Sequence, residues 1–194
     1  MKISQYLEYE KYENIMYDIF INNNIKETTN HYILNIIGLY YRNIKIDYLT
    51  ANKYFLESIN QGNYSVAMVN LGHYYQDIEK DYEQMKKYYQ MAIDLNNSEA
   101  MSNLGFYYED VEKDYFQMEK YYQMAIKLGN ACAMHNLAYF YEDIKNYDEM
   151  KKYYLMAIDK GKHPNSIYNL CNYFINKEYN YDEAIKWLNK SLLL

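Results

Sequence analysis

Asn70-Leu71-Gly72, Asn103-Leu104-Gly105, Asn136-Leu137-Ala138 and Asn169-Leu170-Cys171 repeat at one fixed interval of 33 residues. A period of that length marks a solenoid of stacked supersecondary units, none of which can bury its apolar face alone. Working outward from the first of these tripeptides, Val66, Ala67, Val69, Leu71, Gly72, Tyr74 and Tyr75 form a helical apolar face that continues to about Asp77. A short polar connection, Ile78-Glu79-Lys80, leads to Asp81, after which Met85, Tyr88, Tyr89, Ala92 and Ile93 recur at spacings of three and four, predicting a second helix.

The start of each second helix carries a capping-box spacing: Asp81 with Gln84, Asp114 with Gln117, Asn146 with Glu149, Asn180 with Glu183, and a weaker version in Asp47 with Thr50. Gly62, Asn96, Gly129 and Gly161 follow these helices and suit a left-handed C-terminal residue. With short loops at both ends, consecutive helices must lie antiparallel and adjacent. Gly72, Gly105 and Ala138, with Ala92, Ala125 and Ala157, let paired helices approach closely, and Tyr75, Tyr108, Tyr141, Tyr89, Tyr122 and Tyr154 fill the flanking space. Five pairs result, over residues 28–61, 64–96, 98–129, 131–161 and 164–194. Residues 4–21 read as one capping helix, followed by an Asn22-Asn23-Asn24 loop, so that 1–27 precede the array. Leu192-Leu193-Leu194 leaves an apolar end.

Composition agrees with a repeat array. The 194 residues are 50% apolar and 19% aromatic, enough to bury a core although mean hydropathy is −0.61. The 29 tyrosines score as polar but bury large rings. One proline, Pro164, and six glycines leave no flexible linker. A net charge of −6 and a pI near 5.3, with no Lys/Arg stripe, disfavour nucleic acid. No stretch reaches the ~18 apolar residues of a membrane span, and the acid in Met1-Lys2-Ile3-Ser4-Gln5-Tyr6-Leu7-Glu8 is foreign to a signal peptide, so a cytoplasmic, intracellular protein is expected. Cys132 and Cys171 read as small apolar fillers. His31, His73, His135 and His163 have no partner at metal-ligand spacing, no glycine-rich phosphate loop exists, and the carboxylates fall at caps and exposed turns. No catalytic, cofactor or metal site is expected, and no enzyme.

The pattern resembles the tetratricopeptide superfamily, which residues 131–161 match through Leu137, Ala138, Tyr141, Tyr154 and Ala157, with Met150 in place of a usual alanine. Gly129-Asn130-Ala131-Cys132-Ala133-Met134 and the Asp-x-x-x-Met-x-Lys-Tyr-Tyr-x-Met-Ala stretch look more like the Sel-like (SLR) branch, numerous in bacteria and in amoeba-infecting giant viruses. The chain departs from that branch in having Asp77-Ile78-Glu79-Lys80-Asp81 where a Gly-x-Gly turn belongs. The expected fold is all-α: an α-solenoid of antiparallel helix pairs, about five repeats and an N-terminal capping helix, in a right-handed superhelix.

The resemblance, which covers residues 28–194, implies an adaptor that holds protein segments in a concave groove lined by first helices. It turns Asn70, Asn103, Asn136 and Asn169 toward that groove, where amides could hold a peptide backbone; equally, each amide could bond a carbonyl of the adjacent repeat. Gln76-Asp77, Glu109-Asp110 and Glu142-Asp143 would form an acidic row for a basic ligand, or simply solvated helix ends. His73, Phe106, Tyr139 and Asn172 occupy the variable position that chooses the partner. The groove lysines and arginines that clamp a carboxylate in some relatives are absent. The expected function is a nonenzymatic protein-protein interaction scaffold or adaptor that binds a basic or neutral peptide segment, with neither nucleic acid nor membrane as partner. The alternatives are self-assembly through the Leu192–Leu194 end as a homo-oligomer, or a noncatalytic regulatory subunit.

Overall fold

The computed structural model describes residues 28–161 and 163–191, and the expected capping helix, the Asn22–Asn24 loop and the Leu192–Leu194 end lie outside them. Ten α-helices and no strand occur among the described residues: α1 His31–Asn43, α2 Tyr48–Gly62, α3 Ser65–Tyr74, α4 Tyr82–Asp94, α5 Ser98–Tyr107, α6 Tyr115–Lys127, α7 Ala131–Asp143, α8 Tyr147–Gly161, α9 Pro164–Asn176 and α10 Tyr181–Ser191. They pack as successive pairs, α1 with α2 through α9 with α10. The chain divides into two compact units, Met1–Asn96 with two of the pairs and Asn97–Leu194 with three.

Each second helix opens as the sequence predicts. Asp47, Asp81, Asp114, Asn146 and Asn180 accept the N–H of the residue three positions on, at 3.0, 3.0, 3.1, 3.4 and 3.2 Å. The reciprocal half of the capping box is replaced by a different bond. The cap's own N–H, which a Gln or Glu would otherwise reach, donates to a first-helix carbonyl: Asp47 to Tyr41, Asp81 to Tyr75, Asp114 to Tyr108, Asn146 to Tyr141 and Asn180 to Phe174, all at 2.8–2.9 Å. That bond requires the chain to reverse just before the cap. Ile46, Lys80, Lys113, Lys145 and Tyr179 accordingly hold φ between 54° and 60°.

These are side chains in a conformation that glycine enters without cost. Ile46, β-branched with φ 55°, is the most strained of them. Ile46→Gly is expected to stabilise the first unit by about 1 kcal/mol, because the relief of left-handed strain exceeds the added entropy of the unfolded chain. Thermal unfolding followed by far-UV circular dichroism checks this; a lower midpoint would contradict it.

At the C-terminal ends, Asn96 (φ 58°) and Gly129 (φ 81°) are left-handed as expected. Gly62 and Gly161 instead close their helices from inside, and Asn63 takes the left-handed position after α2. Gly62 has another reason to lack a side chain, since a Cβ there would run into the His31 ring.

The first helices of the second and third pairs run further than expected. Tyr75–Glu79 and Tyr108–Glu112 continue α3 and α5 as π-helical turns. The fourth pair has one residue fewer between Tyr141 and its cap, and it ends without such a turn. In the second and third pairs the additional residue of the joint is thus absorbed by a widened last turn, whereas the first and fifth pairs, with joints of the same length, end without one.

Small residues face large rings at the centre of the first four pairs. Phe55, Tyr89, Tyr122 and Tyr154 are all fully buried. A Cβ on Gly38 would lie 2.5 Å from Phe55 and one on Gly105 2.7 Å from Tyr122, while one on Gly72 would overlap Tyr89. A second tyrosine layer flanks this core, with Tyr41 on Tyr54, Tyr75 on Tyr88, Tyr108 on Tyr121 and Tyr141 on Tyr153, stacked within 10° of parallel and 5.5–5.7 Å apart. Cys171 is buried, but Cys132, on the first turn of α7, is exposed and fills no gap.

Candidate functional site

The buried rings carry hydroxyls, and a buried hydroxyl needs a partner. Tyr89 donates to Gln76 at 3.0 Å, Tyr122 to Glu109 at 2.7 Å and Tyr154 to Glu142 at 2.8 Å. The first member of each predicted acidic pair is therefore tied to the core, whereas Asp77, Asp110 and Asp143 remain exposed. Burial and the bonded carboxylates push the Tyr122 and Tyr154 phenols far above their ordinary range. Burial also raises the Glu109 carboxyl, with Asp143 and Asp110 adding to the effect and the Tyr122 bond opposing it.

The recurrent asparagines join the same network. Asn169 donates to the Tyr154 hydroxyl at 3.0 Å, and the Asn136 amide acts to lower the Tyr122 phenol against the effect of burial. The Asn169 amide thus bonds the preceding pair, through a phenol rather than a carbonyl. Phe55 offers no hydroxyl at the equivalent place in the first pair, and there buried Asn70 donates to Asn35 at 3.0 Å and accepts from Arg42 at 2.9 Å. Asn35 is a rung that the 33-residue spacing did not reveal, because it precedes Asn70 by 35. Asn103 is half-buried on α5.

Two hollows open beside these networks, one in each unit. That of the second unit, about 410 Å³, lies between α5 and α7. It is lined by Phe106, Glu109, Asp110 and Lys113 on one side and His135, Asn136, Tyr139 and Asp143 on the other. Phe106 and Tyr139 are 45% and 49% exposed, large for aromatics in a concave wall. The only cation in the lining, Lys113, stands 3.9 Å from Asp110 with both side chains well exposed, a weak pair. Three carboxylates against one ammonium leave the hollow electronegative.

The hollow of the first unit, about 500 Å³, differs in its charge. It contains His73 and Asp77 but also Arg42, whose Nε bonds Asn43 at 2.9 Å. The sequence reading found no basic groove residue because Arg42 lies near the end of α1, outside the repeated positions.

Two of the histidines meet in a contact that their spacing does not announce. His135 and His163, 28 residues apart, have ring centroids 4.5 Å apart and both reach Ser166. Neither spacing nor residue type announces that contact; only superposing α7 on the start of α9 would. Among the described residues, no group of three or more His, Cys, Asp and Glu is placed to hold a metal ion, and no helix is long and apolar enough to cross a membrane.

Residues 38–63, 65–97, 98–130, 133–162 and 164–194 each match the Sel1 repeat. The chain belongs to the Sel1 repeat family. It is an all-α solenoid of Sel1 repeats, the branch expected from its Gly-x-Ala junction and tyrosine stretch. No curated protein matches it. Among solved structures it is similar to a Sel1 repeat protein from Oxalobacter formigenes, with a TM-score of 0.70 and 22% identity over 97% of this chain and 82% of that one. It is also similar to c5321, a protective antigen of uropathogenic Escherichia coli with an SLR fold, at a TM-score of 0.66 and 20% identity, covering 84% of this chain but only 38% of that one. A third, the immunity protein Pa5087 from Pseudomonas aeruginosa, has a TM-score of 0.61 and 17% identity over 83% of this chain and 68% of its own. Identities this low carry the fold alone. Sel1 repeats are in general protein-protein interaction modules, and Sel1 proteins are typically noncatalytic scaffolds.

Proposed function

We propose that this Sel1 array is a nonenzymatic adaptor that holds an extended segment of a partner protein, with one basic side chain of that segment seated between α5 and α7. The observation that carries the reading is the convergence of Phe106, Tyr139, Asp110, Asp143 and Glu109 on one concave surface. A guanidinium there can pair with carboxylates while its flat face lies on an aromatic ring, an interaction worth about 0.5–2 kcal/mol depending on desolvation. Asn136 lines the same wall as Tyr139, one turn away on α7. The excess of carboxylates favours a basic segment over a neutral or acidic one.

N-acetylated, C-amidated hexa-arginine carrying a fluorophore tests this by anisotropy, with hexaglutamate as control. Asp110→Asn with Asp143→Asn is expected to weaken hexa-arginine binding about tenfold, a loss of about 1.4 kcal/mol. Asp94→Asn with Asp182→Asn removes the same charge elsewhere and should change affinity less than twofold. Equal losses in the two double variants would reduce the binding to net-charge attraction and overturn the site.

A further inference from the structure

Ser166, the third residue of α9, is fully buried, and its hydroxyl serves two imidazoles at once. His135 Nδ1 lies 2.9 Å and His163 Nδ1 3.1 Å from Ser166 Oγ, and the rings are inclined by 31°. A hydroxyl has one proton to give and can also accept. With both rings neutral, one imidazole donates from Nδ1 to Oγ and the hydroxyl donates to the bare Nδ1 of the other, so every group is satisfied. A first proton can enter at Nε2 of the donating ring without breaking either bond. A second cannot: both Nδ1 atoms would then carry hydrogen, the hydroxyl proton would have no acceptor in a buried place, and two cations would stand 4.5 Å apart.

What faces His135 gives that proton a direction. Glu109, Asp110 and Lys113 approach across the hollow from the end of α5, and Tyr139 and Asp143 from its own helix. The Tyr154 ring of α8 lies 5.5 Å away and His163 of the α8–α9 connection packs behind. Once released from Ser166, a charged imidazole is drawn toward Glu109, Asp110 and Asp143, the same carboxylates that would receive a ligand's cation.

We propose that His135, Ser166 and His163 form an acid-operated latch on the hollow between α5 and α7, which opens as the rings take up protons and turns His135 into an internal competitor for the basic side chain. The ligand half of this inference rests on the proposed function; the latch itself does not. The electrostatics point the same way: burial, then the His163 neighbour, hold the His135 imidazole down at about 4, and burial lowers that of His163. Because an unfolded histidine titrates near 6.5, the open state binds more protons than the closed one, and the closed state weakens as pH falls from about 6.5 toward 4.

Hydrogen exchange of the ligand-free protein, corrected for intrinsic rates, separates the two halves. Segment 163–171 is expected to lose about tenfold in protection between pH 7 and pH 5, while α3 and α4 lose less than twofold. His135→Gln and His163→Gln each keep an amide donor for Ser166 without a titrating ring, and each should reduce the loss to twofold or less. Wild-type protection unchanged by pH, or a full loss retained in both variants, would overturn the latch. If the latch opens and hexa-arginine binds equally well at both pH values, the competition is overturned; if hexa-arginine binds at neither, the proposed function falls while the exchange result still decides the latch.

Discussion

Tyr122→Ala is expected to cost the second unit about 4 kcal/mol, the upper part of the range for truncating a buried aromatic. The ring is fully buried, it lies against Gly105 at a distance where no Cβ fits, and it fills the centre of its helix pair. Removing it leaves a cavity that Gly105 cannot fill and strands Glu109, which accepts from its hydroxyl. Tyr122→Phe isolates the second effect: it keeps the ring and should cost about 1–2 kcal/mol, the penalty of leaving buried polar groups unmatched. The chain has a single tryptophan, Trp187 on α10, so urea unfolding read by its fluorescence reports on the second unit. A cost below about 1 kcal/mol for alanine would mean that the core does not depend on this ring.

Asn70→Ala is the other large effect, expected at about 2–3 kcal/mol in the first unit. The side chain is nearly buried and is the shared partner of Asn35 and Arg42, so its loss leaves an amide and a guanidinium facing each other without a mediator. Asn169→Ala removes a half-buried amide bonded to Tyr154, for which about 1 kcal/mol is expected. Chemical unfolding followed by far-UV circular dichroism and by local hydrogen exchange measures both. Equal and negligible costs would show that the asparagine ladder does not stitch the pairs together and return it to ligand binding.

What could be read from the residues follows one physical line. Periodicity reveals which positions superimpose, so Gly105 against Tyr122, the cap Asp114 and the helix pairs were all legible. Periodicity does not reveal which neighbour a polar group chooses when two are within reach. Asn169 faced both a groove and an adjacent pair, and the Tyr154 phenol supplied by the preceding second helix is what it bonds. Contacts that occur once escape the same logic: Arg42 at the end of α1, and His135 with His163 across Ser166, have no counterparts among the described residues to make them stand out. Backbone conformation was hidden for another reason. Left-handed Lys80 and Lys113 carry no glycine signal, since the carbonyl of Tyr75 or Tyr108 and the following cap enforce the reversal.

The widened turns at Tyr75–Glu79 and Tyr108–Glu112 bear on how such a gene can change. Within a regular helix, one added residue rotates everything downstream by about 100° and would carry a buried stripe round to solvent. Here the surplus residue is swallowed where the helix already ends, and the next helix starts from its cap with its rotational phase reset, as comparison with the fourth pair, whose joint is one residue shorter, shows. A single-codon insertion or deletion at this joint is therefore a near-silent event. The joint gives the lineage a place to drift in length while the asparagines stay in step.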